Sequence, residues 1–189
     1  MKNSHVKIEV CRSSRRTVSL QIRADGSVLV RAPQRMTDAQ VEQFLRKHEE
    51  WIRVHQVQVL EQKEQAEEAG RLTDAQIREL ADQALKVIPE RVRYYAPLVG
   101  VTYGRITIRN QKTRWGSCSA KGNLNFNCLL MLMPEEILDY VVVHELAHRV
   151  EMNHSPAFWQ IVESVLPDYR ERRKWLKENG GSYIRRMCG

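Results

Sequence analysis

No apolar run in this chain approaches the ~20 residues that a membrane-spanning helix needs, so the protein is expected to stay out of the bilayer. The opening Met1-Lys2-Asn3-Ser4-His5 has no apolar stretch of the secretory kind. Cysteine is scarce: Cys11, Cys118, Cys128 and Cys188, with no C-x-x-C spacing among them. Reduced thiols in the cytoplasm are the expectation, ahead of a Cys118–Cys128 disulfide across a hairpin. There is no P-loop and no internal repeat.

Positive charge is abundant. The formal net charge is +7, and it is placed unevenly. Residues 1–35 carry eight Lys/Arg against two acids, and residues 168–189 carry seven against three. Such ends suit an anionic partner, such as nucleic acid, nucleotide or acidic protein, although solvated surface is the commoner reason for charge.

Three regions are expected. Residues 1–70 read as an N-terminal β-hairpin and a long helix. The runs Arg16–Arg23 and Ser27–Pro33 alternate about Asp25-Gly26, a strong hairpin signal. Thr37-Asp38-Ala39-Gln40 resembles a capping box, and Val41, Phe44, Leu45, Ile52 and Val59 then keep helical spacing until Gly70. His48 and His55 on that helix have no third ligand nearby and read as ordinary surface or packing residues. Residues 71–180 read as a second region of helices and strands. Thr73–Gln76 caps a helix with the stripe Ile77, Leu80, Ala81, Ala84, Leu85 and Ile88, which Pro89 is expected to break or kink. Arg105–Arg109 alternates as a strand. Leu124, Phe126, Cys128 and Leu130 alternate with Asn123, Asn125 and Asn127, a strand with one polar face. Residues 181–189 form a basic tail.

The densest signal is Val141-Val142-Val143-His144-Glu145-Leu146-Ala147-His148. On a helix, residues four apart share a face, so His144 and His148 can address one ion. Glu145 lies about 100° round the axis, close enough to meet a water on that ion without being a ligand. The residues before it, 137–143, are apolar on nearly all sides except Asp139, which marks a buried helix opened by Pro134-Glu135-Glu136. Burying two histidines and a carboxylate there is costly without a partner, and a metal is the obvious one. The helix is expected to run on through Met152 and stop at Asn153 in the left-handed conformation. Ser155-Pro156 then opens a second helix. His154 falls in the joint between them and is the favoured third ligand, ahead of Glu151 and Glu163. Three nitrogens and one open position describe a catalytic zinc site, one Zn2+ per chain, with another divalent ion as the alternative. Glu145 would be the general base, and Tyr140, Asn153, Tyr169 and Arg114 are candidate donors to an oxyanion.

Thr113–Ser119, Gly122–Asn127, Leu138–His148 and Asn153–Trp159, together with the Asp25-Gly26 hairpin and Pro167-Asp168-Tyr169, resemble the YgjP-like metal-dependent hydrolases, relatives of the WLM and SprT-like zinc metallopeptidases. The resemblance spans nearly the whole chain. It implies an α+β fold with a zincin-like catalytic region: helices on a small mixed or antiparallel sheet, the H-E-x-x-H helix in the core, and an N-terminal hairpin. It also implies His144, His148 and His154 as ligands and Glu145 as the general base or acid. Glu151 stands where metzincins have glycine, which disfavours that group. Trp115-Gly116-Ser117-Cys118 is part of the resemblance, and it reads equally as cleft lining or core packing. Zinc-dependent peptide hydrolysis is the leading expectation, with a peptide or protein substrate. The alternatives are a metal-dependent nucleoside-triphosphate hydrolase and a nucleic-acid-associated SprT-like protease.

Overall fold

The computed structural model describes residues 7–187. Met1–His5, read above for a leader, and Cys188 lie outside the described residues. The protein is a mixed α+β chain with small sheets. It divides between Glu68 and Ala69 into two compact units.

In the first unit, β1 (Ile8–Ser13), β2 (Ser19–Ile22) and β3 (Val28–Pro33) form a sheet of order β1-β3-β2. β3 runs parallel to β1 and antiparallel to β2. The β2–β3 turn needs Gly26, whose φ is +81°. Asp25 steadies it by accepting hydrogen bonds from the Ser27 amide and hydroxyl. β1 was not anticipated: its six residues are all exposed, so it carries no alternation of burial to read. α1 (Asp38–Lys47) starts on the Thr37–Gln40 capping box. The expected single helix is in fact two, α1 and α2 (Glu49–Glu68). The break has a physical cause at His48. Its amide donates to Leu45 and Arg46, and its ring bonds the Phe44 carbonyl, so one residue satisfies three end-of-helix carbonyls. Val28, Val30, Ala32, Val41 and Ile52 form the core of this unit.

The second unit is built on α3 (Asp74–Val99), capped by Thr73 and Gln76 and ended by Gly100 at φ +77°. Pro89 does not stop it. Proline inside a helix costs ~3 kcal/mol, but the buried stripe Leu80, Ala84, Ile88 continues past it through Val92, Tyr95 and Ala96. Burial of that stripe outweighs the lost hydrogen bond. β4 (Ile106–Arg109), β5 (Gly116–Cys118) and β6 (Leu124–Asn127) make a sheet of order β4-β6-β5, with β4 parallel and β5 antiparallel to β6. The strand expected through Leu130 ends at Asn127. That side chain is fully buried, donates to the Gln111 and Arg114 carbonyls, and accepts from the Leu129 amide. It thereby starts a 3-10 helix over Cys128–Leu132. α4 (Glu135–Ala147), α5 (Pro156–Val165) and α6 (Tyr169–Arg185) complete the unit, and residue 181 lies within α6.

Candidate metal centre

Ten of the thirteen residues of α4 are buried, so the helix is committed to the core on every side. Of its three early acids, Glu135, Glu136 and Asp139, the buried one, Asp139, is matched. Arg91 of α3 forms a two-pronged ion pair with it, and the Tyr95 hydroxyl donates to it at 2.8 Å. Arg91 also reaches Glu135 at 2.9 Å. This cluster fixes the rotation of α4 against α3, and hence the direction in which His144 and Glu145 point.

α4 ends at Ala147, earlier than expected, with His148 as its cap. The amides of Arg149, Val150 and Glu151 fold back onto Leu146 and Ala147, closing a tight turn. Asn153 is not left-handed, since no described non-glycine residue has positive φ. The turn is held instead by the Glu151 carboxylate, which accepts from the Asn153 amide. Ser155 then caps α5 through the Phe158 amide, with Pro156 at the first position, as expected. The chain thus doubles back and delivers His154 to the end of α4.

The three histidines converge. Their ring centroids form a near-equilateral triangle, 5.0, 4.9 and 4.8 Å on a side. One ligand nitrogen from each lies within 4.8 Å of the others, a grouping able to hold a metal ion. His144 Nε2 and His154 Nε2 are 3.0 Å apart. Two nitrogens on a tetrahedral ion with bonds of ~2.0–2.1 Å would be ~3.3 Å apart. The His148 Nδ1 faces the Glu151 carbonyl at 3.1 Å, which as a donor leaves Nε2 as the lone-pair nitrogen. Burial, then His148, His154 and Arg173, press His144 down to about 3. His154 is lowered too, by burial first and then by His148 and Arg173. Both rings therefore stay neutral with lone pairs free, so the donor set fits a divalent cation. The rivals are engaged elsewhere: Glu151 in the turn, and Glu163 in an ion pair with Arg170.

Glu145 is buried beside the triad, and burial raises its carboxyl to about 8, with the Arg114 charge working against that rise. A pocket of about 200 Å3 is lined by Trp115, Gly116, Tyr140, Val141, His144, Glu145 and Leu176. Of the candidate oxyanion donors, Tyr140 lines this pocket, and burial raises its phenol to about 12, so it keeps its proton. Arg114 acts on Glu145 electrostatically. The Asn153 backbone amide is used in the turn, and Tyr169 stacks on Trp159 at 5.4 Å.

Phe158, Trp159 and Arg173 escaped the sequence reading, whereas Trp115 and Gly116, read there equally as cleft lining or core packing, line the pocket. Phe158 is fully buried, with its ring 4.9, 4.6 and 4.8 Å from those of His144, His148 and His154, an apolar floor under all three. Trp159 stacks on His154, and Arg173 lies over Trp159 at 4.4 Å. Gly116 backs onto Glu145. An aromatic directly after Pro156-Ala157 was the one visible signal, because α5 had to face the joint.

The chain is 32% identical over 71 residues to the UTP pyrophosphatase of Escherichia coli (strain K12), a match covering 35% of this chain and 42% of that protein. It therefore spans less than half the length of that relative. Two solved structures resemble it with TM-scores of 0.44. They are the metallopeptidase zymogens abylysin of Pyrococcus abyssi (26% identity, 49% of this chain, 98% of that one) and jannalysin of Methanocaldococcus jannaschii (22%, 49% and 95%). The model of the YgjP-like metallopeptidase domain matches residues 16–78 and 67–179. With nearly the whole chain matched, the protein belongs to the YgjP-like family of metallopeptidase-type, metal-dependent hydrolases.

Proposed function

We propose that residues 71–180 form a zincin-like catalytic region that hydrolyses peptide bonds with one zinc ion per chain. The observation that carries this reading is the convergence of His144, His148 and His154 beside the buried carboxyl of Glu145. His144, His148 and His154 would hold the zinc, which would supply Lewis acidity, acidify a water beside Glu145 and add positive charge that lowers the Glu145 pKa. Glu145 accepts the proton of the attacking water and returns it to the leaving amine. The Tyr140 phenol, still protonated in the pocket, donates to the oxygen that gains charge. β5 has no neighbour on its outer edge among the described residues, and an extended peptide could pair there beside Glu145. Free thiols at Cys11, Cys118 and Cys128 fit a cytoplasmic setting. No helix among the described residues is long and apolar enough to cross a membrane.

The test is cleavage of casein and a peptide library by zinc-loaded protein beside Glu145→Gln and His148→Ala. Cleavage by the parent alone is expected. Equal cleavage by parent and Glu145→Gln, or none by any of them, overturns the reading.

A second reading keeps the metal and replaces the peptide with a nucleotide phosphoanhydride. Arg114 beside Glu145 and Arg173 beside His144 and His154 favour it, since both place positive charge on the site. The activity named for the Escherichia coli relative points the same way. Pyrophosphate release from nucleoside triphosphates, lost in His148→Ala and without peptide cleavage, would replace the first reading by this one.

A further inference from the structure

The first unit holds eight arginines, and the structure sorts them in two. Five have partners: Arg12 with Asp38, Arg23 with Glu9, Arg31 with Gln21, Arg46 with Glu42 and Arg53 with Glu50. Arg15, Arg16 and Arg35 have none among the described residues. All three line one pocket of about 500 Å3, together with Ser13, Ser14 and Gln34. No acidic side chain lines it. The Arg15 Nε is buried and lacks a hydrogen-bond partner, a costly state for a guanidinium unless a ligand completes it.

The pocket is also held in shape. β1 and β3 run parallel and end together, with Ser13 paired to Pro33 and the Gln34 amide bonded to the Ser13 carbonyl. The loop beyond is pinned by Arg12, which bonds the Met36 carbonyl and Asp38. The site therefore lies beyond the carboxyl ends of two parallel strands, the position where open α/β sheets bind ligands. Its size falls within the range of small-molecule sites and it is bounded by two short loops, unlike an extended basic stripe that would track a nucleic-acid backbone.

We propose that this pocket binds an oligophosphate chain, free or as the phosphates of a nucleotide, with Arg15, Arg16 and Arg35 as its ligands. Guanidinium forks match phosphate oxygens two at a time, and the serine hydroxyls add donors. The site uses no residue of the metal centre and stands whether or not the peptidase reading does.

Calorimetric titration of the metal-free full chain with sodium tripolyphosphate, and separately with a nucleoside triphosphate, tests it. One equivalent should bind, and each of Arg15→Gln, Arg16→Gln and Arg35→Gln should weaken binding about tenfold or more. Arg53→Gln, which removes an arginine of the same unit outside the pocket, should leave it unchanged. Equal affinity for the two ligands identifies the phosphate chain as the recognised group, and tighter nucleotide binding identifies the nucleotide. In the parent protein, tripolyphosphate should protect these three arginines from phenylglyoxal, read by mass spectrometry, which guards against variants that fail to fold. Absence of saturable binding, equal weakening by Arg53→Gln, lack of protection, or tighter binding of duplex DNA than of tripolyphosphate would overturn it.

Discussion

Gly116 on β5 backs directly onto Glu145 on α4: a Cβ at residue 116 would lie 2.5 Å from the glutamate Oε1 and 2.7 Å from its Cγ. The strand approaches the carboxyl this closely only because residue 116 has no side chain. Gly116→Ala must displace either the strand or Glu145, and Cγ is not a free-swinging end. We expect a stability loss of roughly 1–3 kcal/mol. Hydrolysis should fall ~100-fold, the scale of a misplacement of ~1 Å at a catalytic group, with metal content retained. Full activity in Gly116→Ala, with zinc stoichiometry measured alongside, would show that Glu145 does not depend on this contact.

The metal-free protein should have a pH profile set by two buried groups with opposite signs. His144 sits at about 3 against an ordinary 6.5, so between these values the unfolded chain binds a proton that the fold does not, and stability rises with pH. Glu145 sits at about 8 against an ordinary 4.5, so there the fold binds the extra proton, and stability falls as pH rises. Each slope is about 1.4 kcal/mol per pH unit at most. They oppose one another between pH 4.5 and 6.5, where the lowered His154 adds a further rise toward 6.5, and a decline follows from 6.5 to 8. Denaturant midpoints across this range check the shape. Glu145→Gln should remove the alkaline decline, and its persistence in that variant would assign the decline to another group.

The parts of the site legible in the sequence are those governed by local periodicity. His144 and His148 share a face because four residues nearly complete a turn, and Ser155-Pro156 opens α5 by capping chemistry within three residues. Local rules failed where distant segments decide. Pro89 is carried by a stripe that packs elsewhere in the unit. Asn127 looked like the wet face of a strand, yet it is buried because carbonyls of the preceding loop need its amide. Gly116 and Phe158 act on histidines and a glutamate outside their own segments, a relationship that no spacing encodes.

Asp139 should be structural. Its carboxylate is nearly buried and shared by Arg91 and Tyr95, so Asp139→Ala strands a guanidinium against α4. Breaking a buried pair of this kind costs about 3 kcal/mol or more. Glu135 remains as a second partner for Arg91 and holds the loss to the lower end. Thermal or urea unfolding measures it. A change below about 0.5 kcal/mol, the range of ordinary surface substitutions, would show that packing alone orients α4.

Phe158 offers the sharpest separation of packing from metal holding. Its ring touches all three histidines, so it can set the angle at which they converge as well as fill the space beneath them. Phe158→Ala opens a cavity at a fully buried position and should cost about 3–5 kcal/mol. Phe158→Leu keeps an apolar filler and should lose less stability. If the ring orients the imidazoles, however, Phe158→Leu should still weaken zinc binding by about 10–100-fold, as loss of an outer-shell support does. Competition with a chromophoric chelator gives the affinity, and unfolding of the metal-free variant gives the stability. Zinc bound by Phe158→Leu as tightly as by the parent would reduce the ring to filler and leave orientation of the triad to the turn between His148 and His154.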